Sequence, residues 1–200
     1  MTWTALALSR DVPPGVTRGV LLAGNELVVW RGNGGTAQVW EDRCPHRGMR
    51  LSFGFVRGDS LNCLYHGWQY GAHGSCQRIP AHPDLAVPPT IRARALAVHE
   101  AGGLIWASME SLPGDPPAMP SGLTPLASTA VWRGAATLRA QLPEGDFVVL
   151  PGSDDAILVA VQELDSRRAM LHALVTAGTD GETAFAQLRA FRAEIESLTA

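Results

Sequence analysis

Short apolar runs separated by turn residues dominate the first half of the chain. The runs VLLAG and ELVVW flank Gly24-Asn25, and a Gly-Asn-Gly-Gly run beginning at Gly32 separates ELVVW from TAQVW. Glycine and asparagine are hairpin signals at such points, because they tolerate the positive φ angles that tight turns need. Further glycine turns precede LNCLYHGWQY and separate TIRARALAVH from LIWASM. The pattern predicts antiparallel β-structure as far as residue 110.

The pattern changes after residues 111–126, which are rich in proline and glycine and predict a linker or an extended crossing segment. We place the linker at residues 116–128. Beyond it, ILVAVQEL and AMLHALVTAG are typical of strands. The final run TAFAQLRAFRAEIESL spaces its apolar residues by three and four, which predicts a helix with one buried face. That face comprises Phe185, Leu188, Phe191, Ile195 and Leu198. We therefore predict a mainly β domain over 1–115 and a small α+β segment over 129–200.

Composition and charge narrow the class of protein. The chain is 46% hydrophobic and 18% charged, as in globular proteins, and its net charge of -3 gives no nucleic-acid footprint. All sixteen basic residues are arginine. No window reaches the roughly 18 apolar residues of a membrane span, and MTWTALALSRDVPPG has no cationic signal-peptide region. We expect a cytoplasmic protein that binds neither nucleic acid nor membrane.

Two Cys–His pairs lie within residues 44–68, CPHRGMRLSFGFVRGDSLNCLYHGW. Cys44 precedes His46 by two positions, and Cys63 precedes His66 by three. Thiolate and imidazole bind zinc or iron–sulfur centres, but structural zinc sites usually pair like ligands, whereas each loop here supplies one of each. Mixed pairs favour a [2Fe–2S] cluster of Rieske type, in which one iron takes two thiolates and the other two imidazoles. Zinc remains the alternative, and the odd third cysteine, Cys76, argues against a disulfide scaffold.

The match extends well beyond these four residues. The run CPHRGMRLSFGFVRGDSLNCLYHGWQYGAHGSCQRIPAHP closely resembles the Rieske domain of bacterial ring-hydroxylating and demethylating oxygenases, as do ELVVWRG and VHEAGGLIWASM. The resemblance covers about the first 110 residues. It implies that Cys44 and Cys63 ligate one iron of the cluster and that His46 and His66 ligate the other. It also implies an NAD(P)H-dependent reductase and a catalytic oxygenase subunit as partners, in a hetero- or homo-oligomer.

Respiratory Rieske proteins are a poorer match. Their loops carry two further cysteines joined as a disulfide, where this chain has Met49 and Tyr65, and a serine where this chain has Trp68. Without that hydroxyl donor we expect a reduction potential near the low end of the Rieske range of about −150 to +300 mV. A low potential suits electrons that come from NAD(P)H. Trp68 itself is either a packing shield beside the cluster or an electron conduit.

Oxygenases of the resembling family also hold a mononuclear iron with two histidines and one carboxylate. Here His172 is the sole histidine after the Rieske region, while His73, His82 and His99 precede the linker. We expect these four to be surface or satisfied core residues. The run ILVAVQELDSRRAMLHALV resembles a strand pair from the later part of that catalytic domain. We therefore expect residues 129–200 to be either a truncated catalytic domain, without an oxygen-activating site of its own, or an oligomerisation segment.

These observations predict one-electron transfer, as a subunit or ferredoxin-like component of a multicomponent oxygenase. Whether the chain is itself an enzyme is left open. The alternatives are a redox-sensing or assembly partner protein and, with less support, a self-sufficient Rieske oxygenase. Three arginines, Arg43, Arg47 and Arg50, lie at the first loop. They form either a solvated surface or a docking patch for an acidic partner.

Overall fold

The computed structural model describes residues 3–142, 145, 147–153 and 156–198. These ranges contain fourteen strands and two α-helices, and every strand pairing is antiparallel. The predicted mainly β fold with a small α+β segment is confirmed. The strands are β1 (Thr4–Leu8), β2 (Thr17–Leu22), β3 (Asn25–Arg31), β4 (Ala37–Glu41), β5 (Phe55–Arg57), β6 (Ser60–Asn62), β7 (Gln69–Tyr70), β8 (Cys76–Arg78), β9 (Ala97–Ala101), β10 (Leu104–Ser108), β11 (Leu123–Val131), β12 (Val148–Val149), β13 (Ile157–Asp165) and β14 (Arg168–Thr176), and the helices are α1 (Ala135–Ala140) and α2 (Gly181–Ser197).

Three sheets build the N-terminal part, in the orders β1-β10-β9, β2-β3-β4 and β5-β6-β7-β8. The middle strand β3 is buried on both sides, which explains its continuous apolar run. Val28 and Trp30 face a core that also contains the two loop cysteines. Leu27 and Val29 face a second core, shared with β1 and β10. Strand β3 thus separates the core under the Cys–His loops from the second core of the domain.

The fourth sheet, β11-β14-β13-β12, forms the C-terminal part, and its side chains alternate between two environments. On β13, Ile157 and Val159 pack against the core shared with α1 and α2. Their neighbours Leu158 and Ala160 face the other way and pack with Trp3 and residues of β1 and β10. This second face joins the C-terminal sheet to the N-terminal part.

The structure differs from the predicted elements at three places. Strand β11 begins at Leu123, inside the range predicted as linker, because its backbone pairs with β14. Helix α1 was not predicted, since six residues are too few to show a period. Phe185 was predicted on the buried face of α2, but its side chain is 44% exposed. The buried face consists of Ala184, Leu188, Phe191 and Ile195. At about 100° per residue, Phe185 lies roughly a quarter-turn from that face.

The domain boundaries predicted from the sequence, 1–115, 116–128 and 129–200, remain predictions. No helix within the described ranges combines the length and apolarity needed to cross a bilayer.

Candidate metal centre

The two Cys–His loops, 44–48 and 63–68, share one backbone hydrogen-bond pattern. The N–H of Gly48 donates to the carbonyl oxygen of Cys44 at 2.9 Å, and that of Gly67 donates to Cys63 at 3.0 Å. Each cysteine N–H in turn donates to the residue after the glycine, at 2.8 Å in the first loop and 2.9 Å in the second. The glycines have φ angles of +72° and +68°, a left-handed conformation that favours glycine. This turn explains why a glycine follows each Cys–His pair.

The matched loops bring all four sequence-predicted ligands together. Cys44 and Cys63 are each 2% exposed, whereas His46 is half-buried and His66 is exposed. The ring centroids of the two histidines are 4.7 Å apart, with an interplanar angle of 61°. The site therefore has a pair of thiols inside and a pair of imidazoles toward the surface.

The Cys63 thiol resists ionisation unless a cation is present. Burial raises the pKa of the Cys63 thiol, and the neighbouring Cys44 raises it further, although backbone hydrogen bonds from Tyr65 and His66 act in the opposite direction. A metal ion offsets this cost, since cysteine binds metals as thiolate. Burial, followed by the charges of His66 and Arg47, lowers the pKa of His46 and favours the neutral imidazole, which is the metal-binding form.

A hydroxyl group approaches the site from the core. The Tyr70 hydroxyl oxygen lies 3.1 Å from the Cys44 sulfur, and the side chain is fully buried. Burial raises the pKa of Tyr70 far above its ordinary value and the contact with Cys44 raises it further, so the hydroxyl keeps its proton. When Cys44 is a thiolate ligand, Tyr70 must be the donor. This role of Tyr70 was not predicted from the sequence. Trp68 lies just before β7 and Tyr70 lies within it, and both contact the core under the Cys–His loops. Their two-residue spacing in HGWQY is the signal, because alternate residues of an extended segment face the same side.

Aromatic contacts hold both imidazoles in place. The Trp68 ring stacks on His46, with centroids 4.2 Å apart and planes 6° from parallel. The Tyr65 ring lies 3.8 Å from that of His66. A stacked indole restricts rotation of the imidazole. This contact favours a packing role for Trp68 over a role as an electron conduit.

The remaining cysteine and histidines lie elsewhere. Cys76 is buried, as expected for a structural thiol. His73 and His82 are exposed, and His99 is half-buried beside Trp3. His172 is buried, and both of its ring nitrogens have protein hydrogen-bond partners.

The two pairs of donors suit a cluster with two irons. Buried Cys44 and Cys63 match the iron that takes two thiolates, and adjacent His46 and His66 match the iron that takes two imidazoles. The family model of the Rieske [2Fe-2S] domain matches residues 2–89, which include both loops. The chain contains a Rieske [2Fe–2S] domain. This domain implies a Rieske-type [2Fe–2S] cluster as cofactor, and the donor set fits it.

Curated relatives of the Rieske domain include an oxidoreductase and a monooxygenase. Oxidoreductase NdmD from Pseudomonas putida is 39% identical over 115 residues, which are 57% of this chain and 20% of NdmD. The 4beta-methylsterol monooxygenase from Methylococcus capsulatus is 38% identical over 118 residues, which are 57% of this chain and 30% of that protein. The chain thus spans less than a third of either relative. The expected relationship of the Rieske domain to oxygenases is confirmed.

A solved structure resembles nearly the whole chain. NdmA from Pseudomonas putida CBB5 superposes with a TM-score of 0.72 at 20% identity, covering 98% of this chain and 81% of that one. The superposition therefore includes the C-terminal sheet as well as the Rieske domain. At this identity the similarity shows the fold alone.

Proposed function

We propose that this chain transfers one electron at a time as a component of a multicomponent oxygenase. Cys44 and Cys63 hold one iron of the Rieske cluster, and His46 and His66 hold the other. A cluster bound by these four residues would supply reversible one-electron redox chemistry. An NAD(P)H-dependent reductase supplies the electron, and a separate catalytic oxygenase subunit receives it. Two relatives of the Rieske domain are named as an oxidoreductase and a monooxygenase, which supports a role in an oxygenase system.

The placement of the four ligands carries the proposal. Both sulfurs lie in the core, while the exposed imidazole of His66 forms an edge of the centre at the surface. A partner protein can approach that edge without any rearrangement of the core. Stacking on Trp68 fixes the plane of His46, so the ligand geometry changes little when the charge of the centre changes. A rigid centre with one exposed ligand suits electron transfer.

The first test is the composition of the centre. The protein is purified without oxygen, and iron and acid-labile sulfide are counted per chain. A Rieske cluster gives equal amounts of both, about two per chain, and a Rieske electron paramagnetic resonance (EPR) spectrum after reduction. Zinc without sulfide contradicts the proposal. Additional iron without matching sulfide returns oxygenase activity of the chain itself to consideration.

The ligand assignment predicts the effect of His66→Ala. Removing one imidazole leaves its iron with a single protein ligand, so the variant should lose the cluster or at least its Rieske spectrum. His82→Ala is the matched control, because His82 is exposed and lies outside both loops. Iron content and the EPR spectrum are measured for both variants. An intact Rieske spectrum in His66→Ala shows that the ligand assignment is wrong.

A further inference from the structure

Formal charge is distributed unevenly along the chain. Residues 43–83 contain five arginines and one acidic residue, Asp59, and so have a formal charge of +4. The whole chain has -3, so the other residues together carry −7. The positive segment contains both Cys–His loops and strands β5 to β8. A cluster with two thiolates and two neutral imidazoles is formally neutral when oxidised and gains one negative charge when reduced. The segment around the centre therefore remains positive in both states.

Part of this positive charge lies beside the imidazoles. Arg47 follows His46 directly in the sequence. Both Arg43 and Arg47 are exposed, and neither forms an ion pair with any residue in the described ranges. Arg50, by contrast, pairs with Glu26. The first loop thus presents two arginines whose charge is available to another molecule.

Acidic residues near the first loop already have partners. Glu41 forms an ion pair with Arg94 at 2.6 Å. Asp42 is buried and accepts hydrogen bonds from the N–H and the hydroxyl of Ser52, both at 2.6 Å. Glu41 and Asp42 lie two and one positions before Arg43 in the sequence, but six and five before Arg47, so we expect them to reduce the positive potential of Arg43 more. Arg47 is therefore the better site for a test.

The second loop adds apolar surface next to the exposed ligand. Leu64 and Tyr65 are 58% and 53% exposed, and the Tyr65 ring lies 3.8 Å from that of His66. An apolar centre with a charged rim is the usual composition of a protein interface. Large exposed apolar side chains beside an exposed ligand indicate a surface that another protein covers.

We propose that the loop-tip surface, formed by Arg43, Arg47, Leu64, Tyr65 and His66, docks an electron-transfer protein whose own surface is acidic. The proposal rests on the electron-transfer function above and specifies the chemistry of the partner. The arginines attract the acidic surface from a distance, and the apolar pair makes the close contact that brings the partner to His66.

Small redox reagents of opposite charge test the potential at the loop tip. The cluster-loaded protein is reduced and mixed in a stopped-flow instrument with ferricyanide, an anion, or with tris(phenanthroline)cobalt(III), a cation. Raising the ionic strength from 0.01 to 1 M shortens the Debye length from about 30 to about 3 Å. Ferricyanide oxidation should slow by about fivefold over this range, and oxidation by the cobalt complex should accelerate. The net charge of -3 alone predicts the opposite, namely faster ferricyanide oxidation and slower oxidation by the cobalt complex at high salt. That result overturns the docking proposal.

Charge-matched variants locate the effect. At low salt, Arg47→Gln should slow ferricyanide oxidation about threefold, by the same loss of attraction. Arg189→Gln removes the same charge from the exposed side of α2 and should leave the rate unchanged. Equal effects of the two variants overturn the proposal. EPR spectra show whether each variant keeps its cluster. If Arg47→Gln loses the cluster, Arg43→Gln is used in its place.

A protein probe tests docking itself. A reduced plant-type ferredoxin with an acidic surface is mixed with the oxidised protein, and the second-order rate constant is measured against salt. The rate should fall with salt and in Arg47→Gln, and Leu64→Ser should slow the ferredoxin reaction severalfold without affecting ferricyanide. A ferredoxin rate that ignores salt and both substitutions overturns the proposal. A chain without a Rieske EPR signal overturns the electron-transfer function instead, so the two failures are distinguishable.

Discussion

The Tyr70 hydroxyl approaches the sulfur of the proposed ligand Cys44 from the interior of the domain, and it would donate a hydrogen bond to a thiolate there. The hydroxyl oxygen lies 3.1 Å from the Cys44 sulfur, and the Tyr70 ring makes an edge contact with Trp40, 6.5 Å between centroids. Trp40 makes a closer edge contact with Trp30, at 4.9 Å. These buried rings leave the hydroxyl little freedom to turn away. A donor fixed on a ligand sulfur stabilises the reduced centre more than the oxidised one, because reduction adds negative charge.

This contact predicts the effect of Tyr70→Phe on the reduction potential. Hydrogen bonds to charged groups contribute roughly 1.5–3 kcal/mol, and a one-electron potential changes by about 59 mV per tenfold change in equilibrium constant. Loss of the part of that energy specific to the reduced state should lower the potential by several tens of mV. Redox titration followed by EPR measures it. Tyr65→Phe removes the same group from an exposed ring and is the control. An unchanged potential in Tyr70→Phe contradicts the proposed role of the hydroxyl.

At the scale of elements, the loops were the most predictable part of the molecule. The four-residue interval from cysteine to glycine is identical in Cys44–Gly48 and Cys63–Gly67, and both intervals form the same turn. The different histidine offsets do not alter that turn. The strand runs around the loops were also predictable, since glycine turns separate them. Even so, the first hairpin turns at Ala23-Gly24, one residue before the predicted pair, because Leu22 pairs with Asn25.

Elements whose formation depends on distant partners were not predictable. Proline at position 125 suggested a linker, yet Leu123–Val131 pairs with β14, with an irregularity in register just after Pro125. The sequence contains no local sign of that pairing. Phe185 fits the apolar spacing of α2, but the orientation of the helix on the sheet buries Ala184 instead. Tyr70 was missed as a donor for the same reason, since its partner Cys44 lies in another loop.

The two loop glycines should respond differently to alanine. Both have positive φ, but a Cβ at Gly48 meets no atom within 4 Å, whereas one at Gly67 lies 3.2 Å from the Pro80 ring. Gly48→Ala should cost about 1–2 kcal/mol from backbone strain alone, and Gly67→Ala should cost more. The measurement is the temperature at which visible absorption of the cluster is lost. Adding Pro80→Ala to Gly67→Ala should bring its loss to that of Gly48→Ala. Equal losses in the two single variants contradict this account.

At the scale of the whole molecule, a chain of hydrogen bonds joins the C-terminal sheet to the N-terminal part. The side-chain amide of Gln162 donates to the carbonyl oxygen of Leu21 at 2.6 Å, across 141 positions of sequence. Its own oxygen therefore faces His172 Nε2 at 2.8 Å and accepts from it. The other ring nitrogen, Nδ1, then accepts from the Ser128 hydroxyl, also at 2.8 Å. The network requires a neutral His172.

That requirement makes stability depend on pH. Burial, reinforced by the charge of Arg18, lowers the pKa of His172 to about 3, against an ordinary value of 6.5. Below pH 6.5, His172 becomes protonated in the unfolded chain, whereas in the folded chain it stays neutral until about pH 3. The free energy of unfolding should therefore decrease as pH falls through this window, by up to about 1.4 kcal/mol per pH unit. Carboxylates with lowered pKa, such as Glu100, add a similar loss only nearer their ordinary value of 4.5.

His172→Gln isolates this contribution, because glutamine retains a donor and an acceptor but does not titrate. Urea unfolding of the cluster-loaded protein, followed by far-ultraviolet circular dichroism, is measured from pH 7.5 to 5. The variant should be less stable at pH 7.5, since its amide cannot reproduce both ring contacts, yet it should lose less stability on acidification than the natural chain. His82→Gln, at an exposed position, should keep the steeper pH dependence. If His172→Gln keeps it as well, the acid sensitivity of the fold lies in other groups, and a neutral His172 is not what couples the two parts of the molecule.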